Sequence, residues 1–388
     1  MNIQSIFREK FGEEPTYIAR APGRVNLLGE HVDYNDGPVL PIAIDRSVHL
    51  AASPNQNNHV TLVALDLGEM ASFELDSLST KITLDAKPLP AWALYPAGVA
   101  WALQDAGFQP GGLKAVYNSE LPIGAGLSSS AAIEVGFGVL WDALGGWEID
   151  RLEIARLAQR AENNYVGVSS GLMDQFTSAC GLEGYAIYFD TRSLEWEPAP
   201  LPPGTSIIVA DSGIHHDLTL SAYNERRHAC EEAVSILQKY NPDIQSLRDI
   251  SAIELAAYSD YLPDEIHRRA EHVVKEIARV ESALSALHRQ DMRALGALMY
   301  SGHASLRDLY EVSTPELDTL VDIARQQPGC IGARLTGAGF GGCTVNLVYS
   351  NSTSEFIDGL KDAYSSETGS EINIYICQAS QGATVHKI

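Results

Sequence analysis

Apolar residues recur at spacings of three and four over residues 92–106, 131–144, 150–165, 218–239, 264–287, 291–309 and 315–326, which predicts helices there. Glycine or proline punctuates most of their ends. Between them, β-branched and aromatic residues concentrate at 16–20, 39–43, 47–52, 60–64, 113–118, 184–189, 206–211, 330–335, 343–349 and 372–377. Turn residues bound these stretches, which predicts strands. Helix and strand signals alternate with no fixed-period repeat and no low-complexity stretch, so the base reading is a mixed αβ protein. The densest turn chemistry is Glu197-Pro198-Ala199-Pro200-Leu201-Pro202-Pro203-Gly204, where four prolines argue against regular hydrogen-bonded structure. This segment is the expected crossing between two domains, 1–195 and 205–388.

A length of 388 residues fits that division, being too long for one ordinary core. Composition changes the picture mainly through charge. Twenty-seven basic residues against 50 acidic ones give −23, with 11 against 23 over residues 1–190 and 16 against 27 over the rest. The acid excess is spread along the chain, so it is no acidic tail, and it argues against nucleic-acid and membrane-surface partners. The N-terminal MNIQSIFREKFGEEP carries charges where a signal peptide needs an apolar stretch, and no run is long enough to span a bilayer, so a cytoplasmic protein is expected. Five cysteines, Cys180, Cys230, Cys330, Cys343 and Cys377, contain no CxxC pair and read as reduced core thiols rather than zinc ligands. A monomer or weak oligomer is expected.

Three glycine-rich segments carry the candidate chemistry. Residues 121–134, Leu-Pro-Ile-Gly-Ala-Gly-Leu-Ser-Ser-Ser-Ala-Ala-Ile-Glu, follow a predicted strand and open an apolar helix. Small residues let a phosphate approach, and the free amides of a first helical turn attract anions without any lysine. Ser128, Ser129 and Ser130 add hydroxyls suited to phosphate or Mg²⁺, although a serine-rich N-cap is the plainer alternative. No GxxxxGK[ST] and no HRD or DFG occurs, which removes P-loop and protein-kinase readings. Gly337-Ala338-Gly339-Phe340-Gly341-Gly342 formally satisfies GxGxxG, but strand-like Cys343-Thr344-Val345-Asn346-Leu347-Val348 follows it where a dinucleotide fold requires a helix. It is left as a turn that either lies against a ligand or simply closes a hairpin. Near the start, Arg24-Val25-Asn26-Leu27-Leu28-Gly29-Glu30-His31-Val32-Asp33-Tyr34-Asn35 sets carboxylates beside glycine backbone. Such an arrangement suits the vicinal hydroxyls of a sugar, or else forms a salt-bridged surface loop.

Together and in this order, the three segments resemble the signature motifs of the GHMP small-molecule kinases. GRVNLLGEHVDYNDGPVLP is close to the galactokinase signature within that family, LPIGAGLSSSAA is similar to its ATP-loop motif, and LTGAGFGGCTVNLV to its third motif. GLMDQF at 171–176, Ala222-Tyr223-Asn224-Glu225-Arg226-Arg227 and the run from His267 onward extend the resemblance over almost the whole chain. It implies an α+β fold of two mixed αβ domains with the active site in the cleft between them. It also implies galactokinase activity, with ATP as co-substrate, Mg²⁺ as cofactor and galactose phosphorylated at C1. Asp174 matches the family's catalytic base and Arg24 the arginine beside it. Glu30, His31, Asp33 and Tyr223 match galactose-binding positions, with Gly171 and Asn35 nearby in the motifs. Gly124, Ala125, Gly126, Leu127, Ser128, Ser129 and Ser130 match the nucleotide phosphate loop, Trp92 a position near the adenine, and Ser130 and Glu162 the Mg²⁺ ligands.

Leu94 breaks the family's Trp-x-Asn-Tyr pattern around Trp92. Two departures bear on substrate: Val32 stands where threonine is usual, and Asp211-Ser212-Gly213-Ile214-His215-His216 is closer to related pentose kinases. Neither touches Glu30 or Asp33, so galactose stays the favoured sugar, with kinases of arabinose or N-acetylgalactosamine as alternatives and a non-catalytic galactose sensor as a separate one.

Overall fold

The computed structural model describes residues 3–122, 124–214 and 219–388, so Ile123, His215 and His216 lie outside the described residues. The chain opens with α1 (Ile3–Phe11), β1 (Tyr17–Asn26), β2 (Pro38–Val39), β3 (Pro41–Pro54), β4 (His59–Ala64) and β5 (Glu69–Glu74). There follow α2 (Ala91–Asp105), β6 (Leu113–Ser119), α3 (Ser129–Gly145), α4 (Arg151–Arg160), α5 (Met173–Cys180), β7 (Tyr185–Asp190) and β8 (Trp196–Pro200). The second half runs β9 (Thr205–Asp211), α6 (Thr219–Leu237), α7 (Ala252–Ala257), α8 (Asp264–His288), α9 (Met292–Ser305) and α10 (Pro315–Gln326). It ends with β10 (Cys330–Thr336), β11 (Cys343–Tyr349), α11 (Thr353–Thr368), β12 (Asn373–Cys377) and β13 (Thr384–Lys387).

The strands form a six-stranded sheet in the order β13-β1-β3-β6-β4-β5, a four-stranded sheet β10-β11-β9-β12 and a three-stranded sheet β2-β7-β8. α3 lies on the first sheet. Apart from Glu134 its residues from Ala131 to Trp141 are apolar or glycine, as a helix covered on most sides requires. Gly136 is what lets it come close, since a Cβ there would stand 2.8 Å from Leu50 Cδ1. α1, absent from the expected elements, drives the fully buried Phe7 against Ala51, Val63 and Val116 on the opposite face.

Two expectations are corrected. The strands expected at 39–43 and 47–52 merge almost entirely into a single strand, β3. A register shift in β1 between Pro22 and Arg24 absorbs the polar interruption at Asp45-Arg46, and pairing resumes on both sides of it. The proline-rich segment is not irregular throughout, because β8 occupies 196–200 and pairs with β7 from Tyr185↔Pro200 to Phe189↔Trp196. β8 is an edge strand, so a proline can turn its missing N–H outward without breaking a ladder.

The two halves are also tied more closely than a linker would allow. β13, at the end of the chain, pairs with β1, and one continuous core runs from Ala19 to Ala383. Among the described residues no helix is long and apolar enough to cross a membrane. All five cysteines are free thiols.

Candidate active site

β1, the loop before α3, the start of α5 and the β10–β11 turn converge on a cleft of about 440 Å³. Their approach depends on glycine. A Cβ on Gly23 would lie 2.6 Å from Leu127 O, and one on Gly337 would lie 2.7 Å from Gly126 O. The second and third glycine segments thus pack backbone to backbone. The 337–342 segment is therefore a hairpin turn whose Gly337 and Ala338 also line the cleft.

At the centre, Arg24 grips Asp174 with both arms of its guanidinium: Nε donates to Oδ1 and Nη2 to Oδ2, each at 2.8 Å. Its remaining arm, Nη1, donates to Gly126 O at 2.5 Å, tying strand, α5 and glycine loop together. Burial alone would lower the Arg24 pKa, but Asp174 and then Glu30 outweigh it and hold the guanidinium charged. Asp174 lies in the first turn of α5, yet it does not cap that helix. Its Oδ2 also accepts the Ser128 hydroxyl at 2.5 Å. Ser128 is left-handed (φ +61°) and makes no side-chain cap to α3, which disposes of the plain N-cap alternative.

The first motif wraps one side of the cleft as a buried, folded loop rather than a solvated one. Glu30 accepts Gly337 N–H on Oε1 at 2.8 Å and Asn26 Nδ2 on Oε2 at 3.0 Å. Burial raises its pKa against the pull of Arg334 and Arg24. His31 Nε2 lies 3.0 Å from Ala338 O, which can only accept, so Nε2 carries the proton and Nδ1 accepts from Tyr34 OH at 2.8 Å. Burial, with His272 adding to it, pushes this ring down to about 3 and keeps it neutral. Asp33 turns a fraction of its surface to the cleft. Burial and then the Asp174 charge push its carboxyl up to about 7. Gly171 is required beside it, since a Cβ would fall 1.9 Å from Asp33 Oδ2. Tyr223 from α6 closes the wall, its ring 5.5 Å from that of His31.

On the far side Glu162 sits in a π-helical turn, Ala161–Val166, appended to α4. It is 5% exposed, so it is not the surface residue that a simple amphipathic helix would make it. Its Oε2 accepts from Ser170 Oγ at 2.5 Å and Gln175 Nε2 at 2.7 Å, and the Ser130 hydroxyl also bonds this carboxylate. Gln175 Nε2 reaches Glu134 Oε2 at 3.0 Å, while Glu134 Oε1 is buried with no partner. Burial and then the proximity of Glu162 push Glu134 well above the ordinary carboxylate range.

The loop residues 124–130 line the cleft together with Arg24, Glu30, His31, Asp33, Glu162, Gly171, Asp174 and Tyr223. Two sequence candidates do not. Asn35 lies beneath the loop and donates to His31 O at 3.0 Å, supporting a histidine with φ +64°. Trp92 donates its indole N–H to Glu69 Oε2 at 2.6 Å, and its ring lies 6.0 Å from that of Tyr117. Tyr95, one turn further along α2, lines the cleft instead. Helical spacing from Trp92 would have flagged it. Glu134 also escapes the motifs, although it stands four residues after Ser130 on an otherwise apolar helix.

Comparison with known proteins agrees along the whole chain. A galactokinase galactose-binding signature matches residues 5–54, the GHMP kinases N-terminal domain residues 95–182, and the GHMP kinases C-terminal domain residues 283–366. The chain is 45% identical over 380 residues to a galactokinase of Roseiflexus sp. (strain RS-1), covering 98% of this chain and 95% of that one. It is 43% identical to a galactokinase of Chloroflexus aggregans over 98% of this chain and 96% of the relative. The crystal structure of Lactococcus lactis galactokinase complexed with galactose superposes with a TM-score of 0.93 at 35% identity, covering 98% of both chains. Methanococcus jannaschii mevalonate kinase, at 20% identity and a TM-score of 0.64 over 94% of this chain and 98% of that one, shares the fold.

Proposed function

The chain belongs to the galactokinases of the GHMP kinase family, and from that premise we propose that it transfers the γ-phosphoryl group of ATP to the C1 hydroxyl of galactose. The observation that carries this reading is the Arg24–Asp174 pair. It fixes a carboxylate against the glycine loop, where a sugar hydroxyl and a terminal phosphate would meet. Asp174 Oδ2 already accepts two donors and Oδ1 one, so a lone pair on Oδ1 is open to the incoming hydroxyl. As the C1 oxygen forms its bond to the γ-phosphorus, the bond from that phosphorus to the β,γ-bridging oxygen breaks. The hydroxyl proton passes to Asp174, and ADP leaves with the bridging oxygen. Arg24 holds the base in line and faces the charge of the transferring group.

The polyphosphate lies along residues 124–130 in this reading. Gly124 and Gly126, at φ +74° and +75°, bring backbone amides inward, and no side chain caps the first turn of α3. Mg²⁺ fits the opposite wall on the chemistry of its donors: the Ser130 hydroxyl, the buried Glu162 carboxylate and an unpartnered Glu134 oxygen nearby are all hard oxygens. When bound, the cation neutralises charge on the phosphate oxygens. Among the described residues no group of three or more His, Cys, Asp or Glu side chains could hold a metal, so most of its ligands would come from substrate and water. Glu162→Gln should therefore raise the Mg²⁺ concentration needed for ADP to stabilise the protein thermally by about tenfold or more. An unchanged Mg²⁺ requirement would remove Glu162 from the metal site.

Asp33 is suited to two sugar hydroxyls because a carboxylate accepts several hydrogen bonds. Protonation turns one of its oxygens into a donor and costs acceptor capacity, and burial with the Asp174 charge holds this carboxyl up at about 7. Galactose should bind more weakly as pH falls through 7, its dissociation constant rising by up to about tenfold per unit once the acid form dominates. Calorimetric titration between pH 5.5 and 8.5 measures this, and a flat profile would place the sugar elsewhere. The activity itself is tested by ADP release with galactose, arabinose and N-acetylgalactosamine. Absence of galactose-dependent ADP would overturn the proposal, and a clear preference for another sugar would reassign the substrate.

A further inference from the structure

We infer that His272 and Glu276, one turn apart on α8, are positioning residues for sugar recognition, holding the backbone on either side of Glu30 so that its carboxylate stands correctly in the cleft. The inference rests on the galactose-kinase reading above. Neither residue lines the cleft, and both are fully buried. At spacing i, i+4 they share one face of α8, and that face is turned to the first motif.

Glu276 Oε1 accepts the Gly29 N–H at 2.9 Å and Arg334 Nη1 at 2.7 Å, and its Oε2 accepts Arg279 Nη1 at 2.5 Å. His272 Nε2 lies 3.2 Å from Glu30 O, and its Nδ1 lies 2.9 Å from Ser305 Oγ. A carbonyl oxygen cannot donate, so Nε2 carries the proton and the Ser305 hydroxyl donates to Nδ1. Ser305 on α9 thereby fixes the tautomer that Glu30 O needs. The loop is thus held at the N–H of residue 29 and the C=O of residue 30, while the Glu30 side chain is held by Gly337 N–H and Asn26. The turn between is set by Gly29 at φ +104°, where a Cβ would come within 2.9 Å of Val39 Cα. A carboxylate fastened at so many points has little freedom to drift, and small displacements of a binding group are costly in substrate affinity.

The test uses two substitutions at one position. In an Asn side chain the amide reaches about as far as Nδ1, and in a Gln about as far as Nε2. His272→Asn keeps a partner for Ser305 and loses the bond to Glu30 O. His272→Gln does the reverse. The expected result is a galactose KM raised about tenfold in His272→Asn, with kcat and the ATP KM changed less than about threefold, and a near-native galactose KM in His272→Gln. Equal galactose KM values in the two variants, or a parallel rise in the ATP KM, would overturn the inference, because a merely structural role predicts one of those. If His272→Asn fails to fold, Ser305→Ala reads the same link through the tautomer. It should raise the galactose KM about threefold and leave the ATP KM alone, and no change would overturn the inference. Lack of galactose-dependent ADP release by the unsubstituted enzyme is a separate failure, that of the activity itself.

Discussion

Asp174→Asn should lower kcat by about 10³-fold while leaving the galactose dissociation constant within about threefold of the native value. The amide is isosteric and its oxygen can still accept Arg24 Nε, at the loss of the bond to Nη2, while Glu30, His31 and Tyr223 on the sugar side keep their partners. The amide can no longer take the C1 proton. Substitution of the same carboxylate by alanine would confound these effects, because it also leaves Arg24 Nε and Nη2 and the Ser128 hydroxyl without their shared acceptor. Stopped-flow turnover together with calorimetric galactose binding separates them. Retention of more than about a tenth of native kcat would remove Asp174 from the base role, and loss of galactose binding would recast it as a binding residue.

Arg24→Met should lower kcat by about 10²- to 10³-fold, the scale lost when a preorganised charge is taken from a transition state. The side chain is 5% exposed and makes three directed hydrogen bonds, two of them to one carboxylate. Lysine should not rescue it, because a single ammonium cannot span both Asp174 oxygens and Gly126 O. Stability should fall as well, by about 2 kcal/mol, below the full cost of stranding a buried charge because Asp174 keeps 27% of its side chain in solvent. Urea unfolding measures that loss. Because Arg24 and Asp174 act as a unit, the double substitution should cost little more in kcat than the more damaging single one. Full additivity would mean that the two contribute independently.

The acid excess takes on a specific meaning at this site. Asp33, Glu162 and Asp174 surround the cleft; burial and then the Asp174 charge raise the proton affinity of Asp33 and Glu162, and Arg24 is already committed to Asp174. The charge of Arg24 is largely met by Asp174 before any phosphate arrives, so under the proposed function affinity for an anionic nucleotide would rest more on loop amides and a bound cation than on the arginine.

The sequence by itself determined whatever depends on neighbours a few residues apart. The apolar spacing of residues 264–287 and 315–326 located α8 and α10 closely, and the strand signals at 60–64 and 206–211 located β4 and β9. The three motifs, read as a resemblance, identified most of the residues that line the cleft, and the segments around Gly171 and Tyr223 added Asp174 and Tyr223. Short or edge elements escaped. α5 has eight residues, too few for a periodic signal, and β8 hides two prolines at a sheet edge. Tyr95 lies outside the motif match, and only packing decides that its part of α2 reaches the cleft.

Tertiary structure alone decided who meets whom. Arg24 and Asp174 are 150 positions apart, and Glu30 and Gly337 are 307. No local preference encodes such pairings, since they form only when sheets, helices and glycine turns pack and the entropy of closing long loops has been overcome. The same packing buried Glu134 beside Gln175 and Glu162, and turned Glu276 and His272 toward the backbone of Gly29 and Glu30. Periodicity could place each residue on its helix, but the partner it faces is a property of the closed fold.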